Sequence, residues 1–173
     1  MAEIYTYKNL SQFAGSANSQ DWTAVIPAAG KGTRLLGYDK PKTLFPVGGK
    51  TILKHLIDLL SPCCSKIVFV LSKDGEKEVK PFLERYVAKK FEVAIQKEPL
   101  GMAHAVLMAK NNVKTPCTLV IWGDQVALRK KTIIHSMNVH QFRKGALLTL
   151  PTFWRKNPYI HFEKDKNNKI IGV

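Results

Sequence analysis

A glycine-rich segment directly after a short apolar run carries the densest set of residues that could bind a phosphate chain. The segment consists of Ala28-Ala29-Gly30-Lys31-Gly32-Thr33-Arg34. Small residues let a backbone approach a ligand closely, and glycine permits conformations that aim successive N–H groups at an anion. With Lys42 downstream, three cations and several backbone donors suit a triphosphate better than a single phosphate. The alternative, which a Gly-x-Gly pair alone would favour, is a tight turn with incidental surface cations.

Two common phosphate-binding motifs are excluded for this segment. The P-loop pattern G-x-x-x-x-G-K-[ST] is not present in the sequence. The dinucleotide fingerprint G-x-G-x-x-G also fails, because Leu35 occupies the position of its last glycine. The segment therefore indicates an anion cradle of another kind.

The elements that must position this segment alternate between strands and helices. Apolar runs predict strands at Thr23–Pro27, Lys66–Leu71, Phe91–Gln96, Thr118–Trp122 and Ala146–Leu150. Helical spacing predicts helices at Thr51–Leu60, Glu76–Lys90, Gly101–Asn111 and Lys130–Phe142. A hairpin is expected from Tyr159–Glu163 and Lys169–Val173, turning through Asp165–Asn168. This order predicts an α/β fold with a mainly parallel sheet and helices on both faces. Ligands bind such sheets outside the carboxyl ends of the strands.

Length and composition indicate one soluble domain. The 173 residues can bury a substantial core, and positions 1–20 are interpreted as an N-terminal extension of a domain at 21–173. No apolar run approaches the roughly 20 residues that span a bilayer, so no membrane association is expected. The three cysteines have no C-x-x-C spacing, and Cys63 and Cys64 are adjacent. A reducing cytoplasm is the expected compartment.

The net charge of +14 has two interpretations. One is binding of a polyanion, either nucleic acid or phosphorylated metabolites. The other is a solvated lysine-rich surface, which is favoured because the lysines are dispersed in pairs such as Lys89-Lys90 and Lys130-Lys131. The aromatic-interleaved pattern typical of RNA binding is not found, so a nucleic-acid partner is not expected.

Several ordered motifs resemble those of one family. Gly30-Lys31-Gly32-Thr33-Arg34 with Pro41-Lys42-Thr43-Leu44 is similar to the G-x-G-T-R…P-K-x-L signature of nucleotide-sugar pyrophosphorylases. The run Gln96–Ala105 resembles the family's Q-x-x-x-L-G-T-x-H-A segment, and Trp122–Leu128 resembles its Y/N-G-D-x-P-L segment. The resemblance is strongest to the N-terminal domain of N-acetylglucosamine-1-phosphate uridylyltransferases. It implies a Rossmann-like, GT-A-like sheet, with 21–173 as the nucleotide-binding N-terminal portion of a nucleotidyltransferase domain.

The resemblance implies a role for each matching residue. Ala28, Ala29, Gly30, Lys31, Gly32 and Thr33 would bind the nucleotide together with Gln96 and Gly101. Lys31 and Arg34 would hold the pyrophosphate that leaves, and Lys42 would stabilise charge between the α-phosphate and the incoming phosphate. Asp124 would bind Mg²⁺, as a carboxylate that ends a buried strand can do. The alternatives are a helix start at Gly101 and a capping aspartate at position 124.

The implied reaction is nucleotidyl transfer. The partners would be a nucleoside triphosphate, with UTP preferred, and a phosphorylated small-molecule acceptor. A phosphate oxygen of the acceptor would attack the α-phosphorus in line, so no nucleophilic Ser or Cys is needed. Arg34, Lys42 and Asp124 would be the catalytic residues, and His104 is interpreted as structural. The sequence leaves open a homo-oligomer.

Three departures from the family pattern keep other functions open. The glutamate, asparagine and second metal ligand of the family would lie after Val173, so the fold is expected to lack its C-terminal, acceptor-side part. Tyr159-Ile160-His161 replaces the Y-G-R of relatives that use N-acetylglucosamine phosphate, and Met102 replaces a threonine. The alternatives are a cytidylyltransferase acting on a phosphorylated alcohol, a non-catalytic nucleotide-binding homologue and, from the charge alone, a nucleic-acid binder.

Overall fold

The computed structural model describes residues 13, 15, 17–30, 32, 35, 37–86, 91–157, 161–167 and 170–172. They divide into two compact units. The first is Ala17–Lys130, and the second combines Met1–Ser16 with Lys131–Val173. The expected extension at 1–20 lies largely outside the described residues, and its role stays a prediction. Among the described residues, no helix is both long enough and apolar enough to cross a membrane.

The first unit is built on a four-stranded parallel sheet. Its strands are β1 (Trp22–Pro27), β4 (Lys66–Ser72), β5 (Phe91–Gln96) and β6 (Cys117–Val120), in the spatial order β5-β4-β1-β6. The register places Val25 of β1 beside Val68 of β4 and Val120 of β6. All four strands coincide closely with the predicted ones, and the predicted fold class is confirmed.

Both faces of the sheet centre are covered. Helix α3 (Met102–Met108) packs on one face, where Ala105 joins a buried cluster with Val25, Val68 and Ala94. The alternate residues of β1 and β4 point the opposite way and are equally buried: Ala24, Ile26, Ile67, Phe69 and Leu71. A parallel strand buried on both faces is the reason for the continuous apolar runs in the sequence.

The loop after β1 ends in a small hairpin that starts the first helix. Strands β2 (Pro46–Val47) and β3 (Lys50–Thr51) pair antiparallel. Between them, Gly48 and Gly49 have φ of 55° and 82°, which a two-residue turn of this hand requires. The Thr51 side chain then accepts from the Lys54 N–H and caps helix α1 (Ile52–Leu60). The predicted helix at Thr51–Leu60 is confirmed.

Helix α2 (Lys73–Tyr86) begins earlier than the predicted Glu76. The cause is a local cap, because Ser72 Oγ accepts from the Gly75 N–H at 3.0 Å directly after β4. The last predicted residues of this helix, 87–90, lie outside the described residues. Helix α3 begins after Gly101 because that residue has φ 90° and ψ 179°, which are not helical angles. A 3₁₀ turn, Lys110–Asn112, completes the predicted helical stretch.

The second unit contains most of helix α4 (Lys130–Phe142), as predicted, and a short antiparallel pair, β7 (Glu163–Lys164) with β8 (Ile170–Gly172). This pair confirms a hairpin in the expected place, although 158–160, 168–169 and 173 are not described. The predicted strand Ala146–Leu150 is wrong. Those residues form no strand, and Leu147 is 99% exposed. An apolar run becomes a strand only where a neighbouring strand satisfies its backbone groups.

A polar cluster joins β4, β5 and the 3₁₀ turn Lys110–Asn112. Lys66 Nζ donates to Glu92 Oε1 at 2.6 Å, and Asn112 Nδ2 donates to Glu92 Oε2 at 2.7 Å. These hydrogen bonds, from Lys66 first and Asn112 second, lower the pKa of the Glu92 carboxyl. The charged form of Glu92 is therefore favoured in the folded chain.

Acid should weaken the fold in part through Glu92. Because its pKa is lower in the folded state, its contribution is complete above the unfolded value of about 4.3 and is lost as pH falls through the folded value. That contribution is at most about 1 kcal/mol, since the side chain is 40% exposed and water screens the pair. We expect Glu92→Gln to unfold more easily at pH 7 and to show a flatter loss of stability between pH 5 and pH 3. Urea unfolding measures this, with Glu84→Gln on the exposed side of α2 as control; parallel pH profiles for wild type and Glu92→Gln would contradict it.

Candidate functional site

The strand order fixes where a ligand can enter the first unit. From β1 the chain steps outward to β4 and β5, and then returns to the other side of β1 to form β6. The loops that follow β1 and β6 therefore diverge from adjacent strand ends, at the sheet's topological switch point. Open α/β sheets bind their ligands in this crevice.

The two loops are held side by side by backbone contacts. Ala28 N donates to Val70 O at 2.8 Å, which extends the β1–β4 ladder past the end of β1. Gly123 N donates to Pro27 O at 3.1 Å, which extends the β1–β6 ladder in the same direction. A Cβ at position 123 would lie 3.0 Å from both the Ala28 Cβ and the Pro27 oxygen. This close approach therefore requires a glycine at position 123.

An ion pair crosses the switch point. Lys42 Nζ donates to Asp124 Oδ2 at 2.6 Å, although the two residues are 82 positions apart in sequence. The side chains are 38% and 49% exposed, respectively. An ion pair this exposed contributes about 0–1 kcal/mol to stability, because water screens it and both side chains lose freedom. The pair therefore holds a cation and a carboxylate together, and separating the two charges costs little free energy.

The backbone around Lys42 positions its side chain for this ion pair. Lys42 opens a 3₁₀ turn directly after Pro41, and Phe45 N donates back to Lys42 O at 3.0 Å. Gly32, with φ +64°, packs so tightly that a Cβ there would lie 2.9 Å from the Lys42 Cβ. Gly32 of the glycine-rich segment therefore lies directly against the Lys42 Cβ.

Asp124 lies in a turn that follows β6. Trp122 N donates to Gln125 Oε1 and Gln125 N donates to Trp122 O, both at 3.1 Å. Val126 N donates to the Asp124 backbone oxygen at 3.0 Å. The Asp124 carboxylate itself binds Lys42 and caps no helix, so the capping alternative for this residue is not supported.

A second group of polar atoms lies at the end of β5. The Gln96 side chain is buried, with 7% exposure. Its Nε2 donates to Gly101 O at 3.1 Å and to His104 Nδ1 at 3.0 Å. Gly101, with φ 90° and ψ 179°, has a backbone conformation that is essentially restricted to glycine, and this conformation directs its carbonyl towards Gln96. The structure thus joins the two predicted residues Gln96 and Gly101 by a direct hydrogen bond.

The described residues account for most of the predicted site. Ala28, Gly32, Lys42 and Asp124 meet at the switch point, while Ala29 and Gly30 lie in the same loop with space around Gly30. Lys31, Thr33 and Arg34 lie outside the described residues. Sequence reasoning missed the direct contact of Lys42 with Asp124 and the hydrogen bond of His104 to Gln96. The sequence does carry a signal for the hydrogen bond between Gln96 and His104, because both residues belong to the same motif.

The donor set at Asp124 is compatible with Mg²⁺. Within the described part of the chain, no three His, Cys, Asp or Glu side chains gather into a metal site. Mg²⁺ does not need such a cage, because it is commonly held by one or two carboxylates, several waters and substrate phosphates. The half-exposed Asp124 carboxylate can supply one such ligand once Lys42 leaves it. Asp124 is the described residue that would hold the ion.

Comparison with known proteins defines the class of this domain. The family described as "MobA-like NTP transferase domain" matches residues 24–165. The bifunctional protein GlmU of Methanococcus vannielii is 41% identical over 105 residues, which are 60% of this chain and 24% of that protein. GlmU of Buchnera aphidicola subsp. Baizongia pistaciae is 33% identical over 158 residues, 90% of this chain and 34% of that protein.

The fold comparison agrees with the sequence comparison. A solved UDP-glucose pyrophosphorylase complexed with UDP-glucose superposes with a TM-score of 0.61 at 20% identity, over 70% of this chain and 54% of that one. This likeness shows that the two domains share a fold. The chain belongs to the MobA-like NTP transferase family, and the resemblance inferred from its motifs is confirmed. It spans about a third or less of the curated relatives' length, 24% and 34% for the two GlmU proteins.

The close approach at Gly123 can be tested by adding one methyl group. In Gly123→Ala, the new Cβ would press on Ala28 and on the Pro27 oxygen at 3.0 Å, and neither backbone can move without disturbing β1. We expect a loss of about 1–3 kcal/mol in the free energy of unfolding. Gly30→Ala is the matched control, because a Cβ at position 30 meets nothing within 4 Å. Equal stability of the two variants in denaturant titrations would contradict the close approach.

Proposed function

We propose that this domain transfers a nucleoside monophosphate from a nucleoside triphosphate, with UTP preferred, to a sugar 1-phosphate and releases pyrophosphate. The observation that carries the proposal is the Lys42–Asp124 pair at the switch point of the sheet. At this position, the cation can bind the negatively charged triphosphate and the carboxylate can bind its metal ion. Family membership supports the reaction class, and the substrates are the finer part of the proposal.

The triphosphate would lie along the loop after β1. The Ala28 N–H is already used by Val70 O, so Ala28 would contribute close backbone approach and no hydrogen bond through its N–H. The N–H groups of Ala29 and Gly30 have no hydrogen-bond partner among the described residues, and they are suited to donate to an anion. Lys31, Thr33 and Arg34 would complete this set, with the two cations holding the β,γ-pyrophosphate.

Lys42 would act on the reacting phosphate. In the free domain its ammonium group is held by Asp124, and the pair is exposed enough to separate at small cost. With nucleotide present, the ammonium group would move to the α-phosphate and stabilise the negative charge that develops during in-line attack. Asp124 would then be free to hold Mg²⁺, which when bound neutralises phosphate charge. No side-chain nucleophile is required.

Gln96 and Gly101 would form the base end of the site. Gln96 is buried and polar, and its Oε1 has no hydrogen-bond partner among the described residues. An amide oxygen without a partner can accept from a base N–H. The glycine at position 101 lets a base or a sugar pass close to the backbone.

The three cysteines are free thiols, which supports the cytoplasm as the proposed compartment.

Two further functions fit the same site. A cytidylyltransferase acting on a phosphorylated alcohol would use the same loop and the same ion pair, and would differ in base and acceptor. A non-catalytic nucleotide-binding homologue is favoured because the described residues contain no cluster of three metal-ligating side chains. Retention of both Lys42 and Asp124 favours the enzyme over this homologue.

The reaction is tested by Mg²⁺-dependent release of pyrophosphate. UTP, CTP, dTTP, ATP and GTP are each paired with a panel of sugar 1-phosphates and phospho-alcohols, for this chain and for any longer protein that contains it. We expect turnover with UTP and a sugar 1-phosphate, and a loss of at least about 100-fold in kcat for Lys42→Met and Asp124→Asn, since each removes charge stabilisation from the reacting phosphate.

The control is a second surface ion pair of the same chemistry. Lys50 Nζ donates to Asp58 Oδ2 at 2.9 Å, with side chains 54% and 39% exposed. Lys50→Met and Asp58→Asn should leave turnover within about twofold. Nucleotide binding without turnover in both the short and the longer protein would refute the enzyme and leave the binding homologue. A turnover preference for CTP with a phospho-alcohol would select the cytidylyltransferase.

A further inference from the structure

The hydrogen bond between Gln96 and His104 has a consequence for base selectivity. The Gln96 Nε2 lies 3.0 Å from His104 Nδ1 and 3.1 Å from Gly101 O. The Gly101 carbonyl can only accept a hydrogen bond, so the amide nitrogen of Gln96, and not its oxygen, must face it. The orientation of this buried amide therefore follows from its neighbours.

The same argument fixes the tautomer of His104. Because Nε2 of a glutamine is a donor only, His104 Nδ1 must accept, and the imidazole proton is then on the histidine Nε2. Both amide hydrogens of Gln96 are consequently used by Gly101 and His104. The Oε1 of Gln96 has no hydrogen-bond partner among the described residues, and it is the atom left to meet a ligand.

Both acceptors are held rigidly in place. Gly101 occupies a φ,ψ combination that other residues avoid, and this aims its carbonyl at Gln96. His104 lies in the first turn of α3 and is partly buried, next to Ala105 in the core cluster. Rotation of the amide by half a turn would bring its oxygen against the Gly101 carbonyl, and it would also require the imidazole proton of His104 to move to Nδ1.

We propose that His104 is a positioning residue that makes the site select bases with an imide edge, uracil or thymine, over cytosine. The proposal rests on the proposed function, because it assumes that Gln96 meets the base. The ring N3 of uracil carries a hydrogen and donates to Gln96 Oε1. The ring N3 of cytosine carries a lone pair, which would face the lone pairs of Oε1 and leave a buried acceptor unpaired.

Binding of UTP and CTP to variants of position 104 tests the proposal. His104→Leu removes the acceptor, and His104→Asn retains one, because the asparagine Oδ1 lies close to where the imidazole Nδ1 lies. We expect wild type to bind UTP at least about tenfold more tightly than CTP, which is the worth of one hydrogen bond. His104→Leu should lower this ratio to about one to three, and His104→Asn should restore most of it. Isothermal titration calorimetry with Mg²⁺ supplies both dissociation constants.

A second measurement separates positioning from a structural role and does not need nucleotide. Nitrogen-15 NMR should show His104 Nδ1 as an unprotonated, hydrogen-bonded nitrogen, with the Gln96 side-chain NH₂ signals displaced in His104→Leu but not in His104→Asn. Loss of selectivity with an unchanged Tm supports positioning. A UTP:CTP ratio in His104→Leu equal to that of wild type, or a wild type that prefers CTP, overturns the proposal.

Failure of the proposed function has a different signature. If wild type binds no nucleoside triphosphate, the function fails and the base selectivity fails with it, even where NMR shows the Gln96–His104 hydrogen bond. If wild type binds UTP and turns it over while position 104 has no influence on the ratio, the function stands and the role of His104 is refuted.

Discussion

The site depends on one constraint, the pairing of β1 with both of its neighbours beyond the regular ladders. The hydrogen bond from Ala28 to Val70 extends the β1–β4 ladder, and the one from Gly123 to Pro27 extends the β1–β6 ladder. The position of Asp124 relative to the loop after β1 is therefore set by backbone hydrogen bonds, which are costly to break when buried. Gly123 makes this arrangement possible, because a side chain would separate the strands.

Against this rigid frame, the charges at the site are weakly held. The Lys42–Asp124 pair is exposed on both sides and contributes little to stability. Neither charge is left buried when such a pair separates, so the proposed exchange of Lys42 for a metal ion at Asp124 would cost little. The buried polar group at the end of β5 is different in kind. Gln96 is anchored by two hydrogen bonds, which fits its proposed role in discriminating between bases.

Much of the fold could be predicted because its two central strands, β1 and β4, are buried on both faces. Residues 67–71 of β4 are continuously apolar for that reason. Helix Ile52–Leu60 buries only one face, so its apolar residues recur at helical spacing. The strand prediction failed where the residue composition favours a strand but no neighbouring strand pairs with the segment. Ala146–Leu150 has the composition of a strand, but a strand also needs a partner for its backbone groups, and sequence composition carries no information on that partner.

By itself, the sequence determined the residue types, their order and their family, and hence which side chains have the chemistry for nucleotidyl transfer. Only the tertiary structure decided which of them touch. The contact of Lys42 with Asp124 joins residues 82 positions apart, because β6 returns to the side of β1 opposite β4. The orientation of the Gln96 amide was likewise beyond sequence reasoning. It depends on where the carbonyl of Gly101 and the ring of His104 point, and backbone angles and helix packing set those directions.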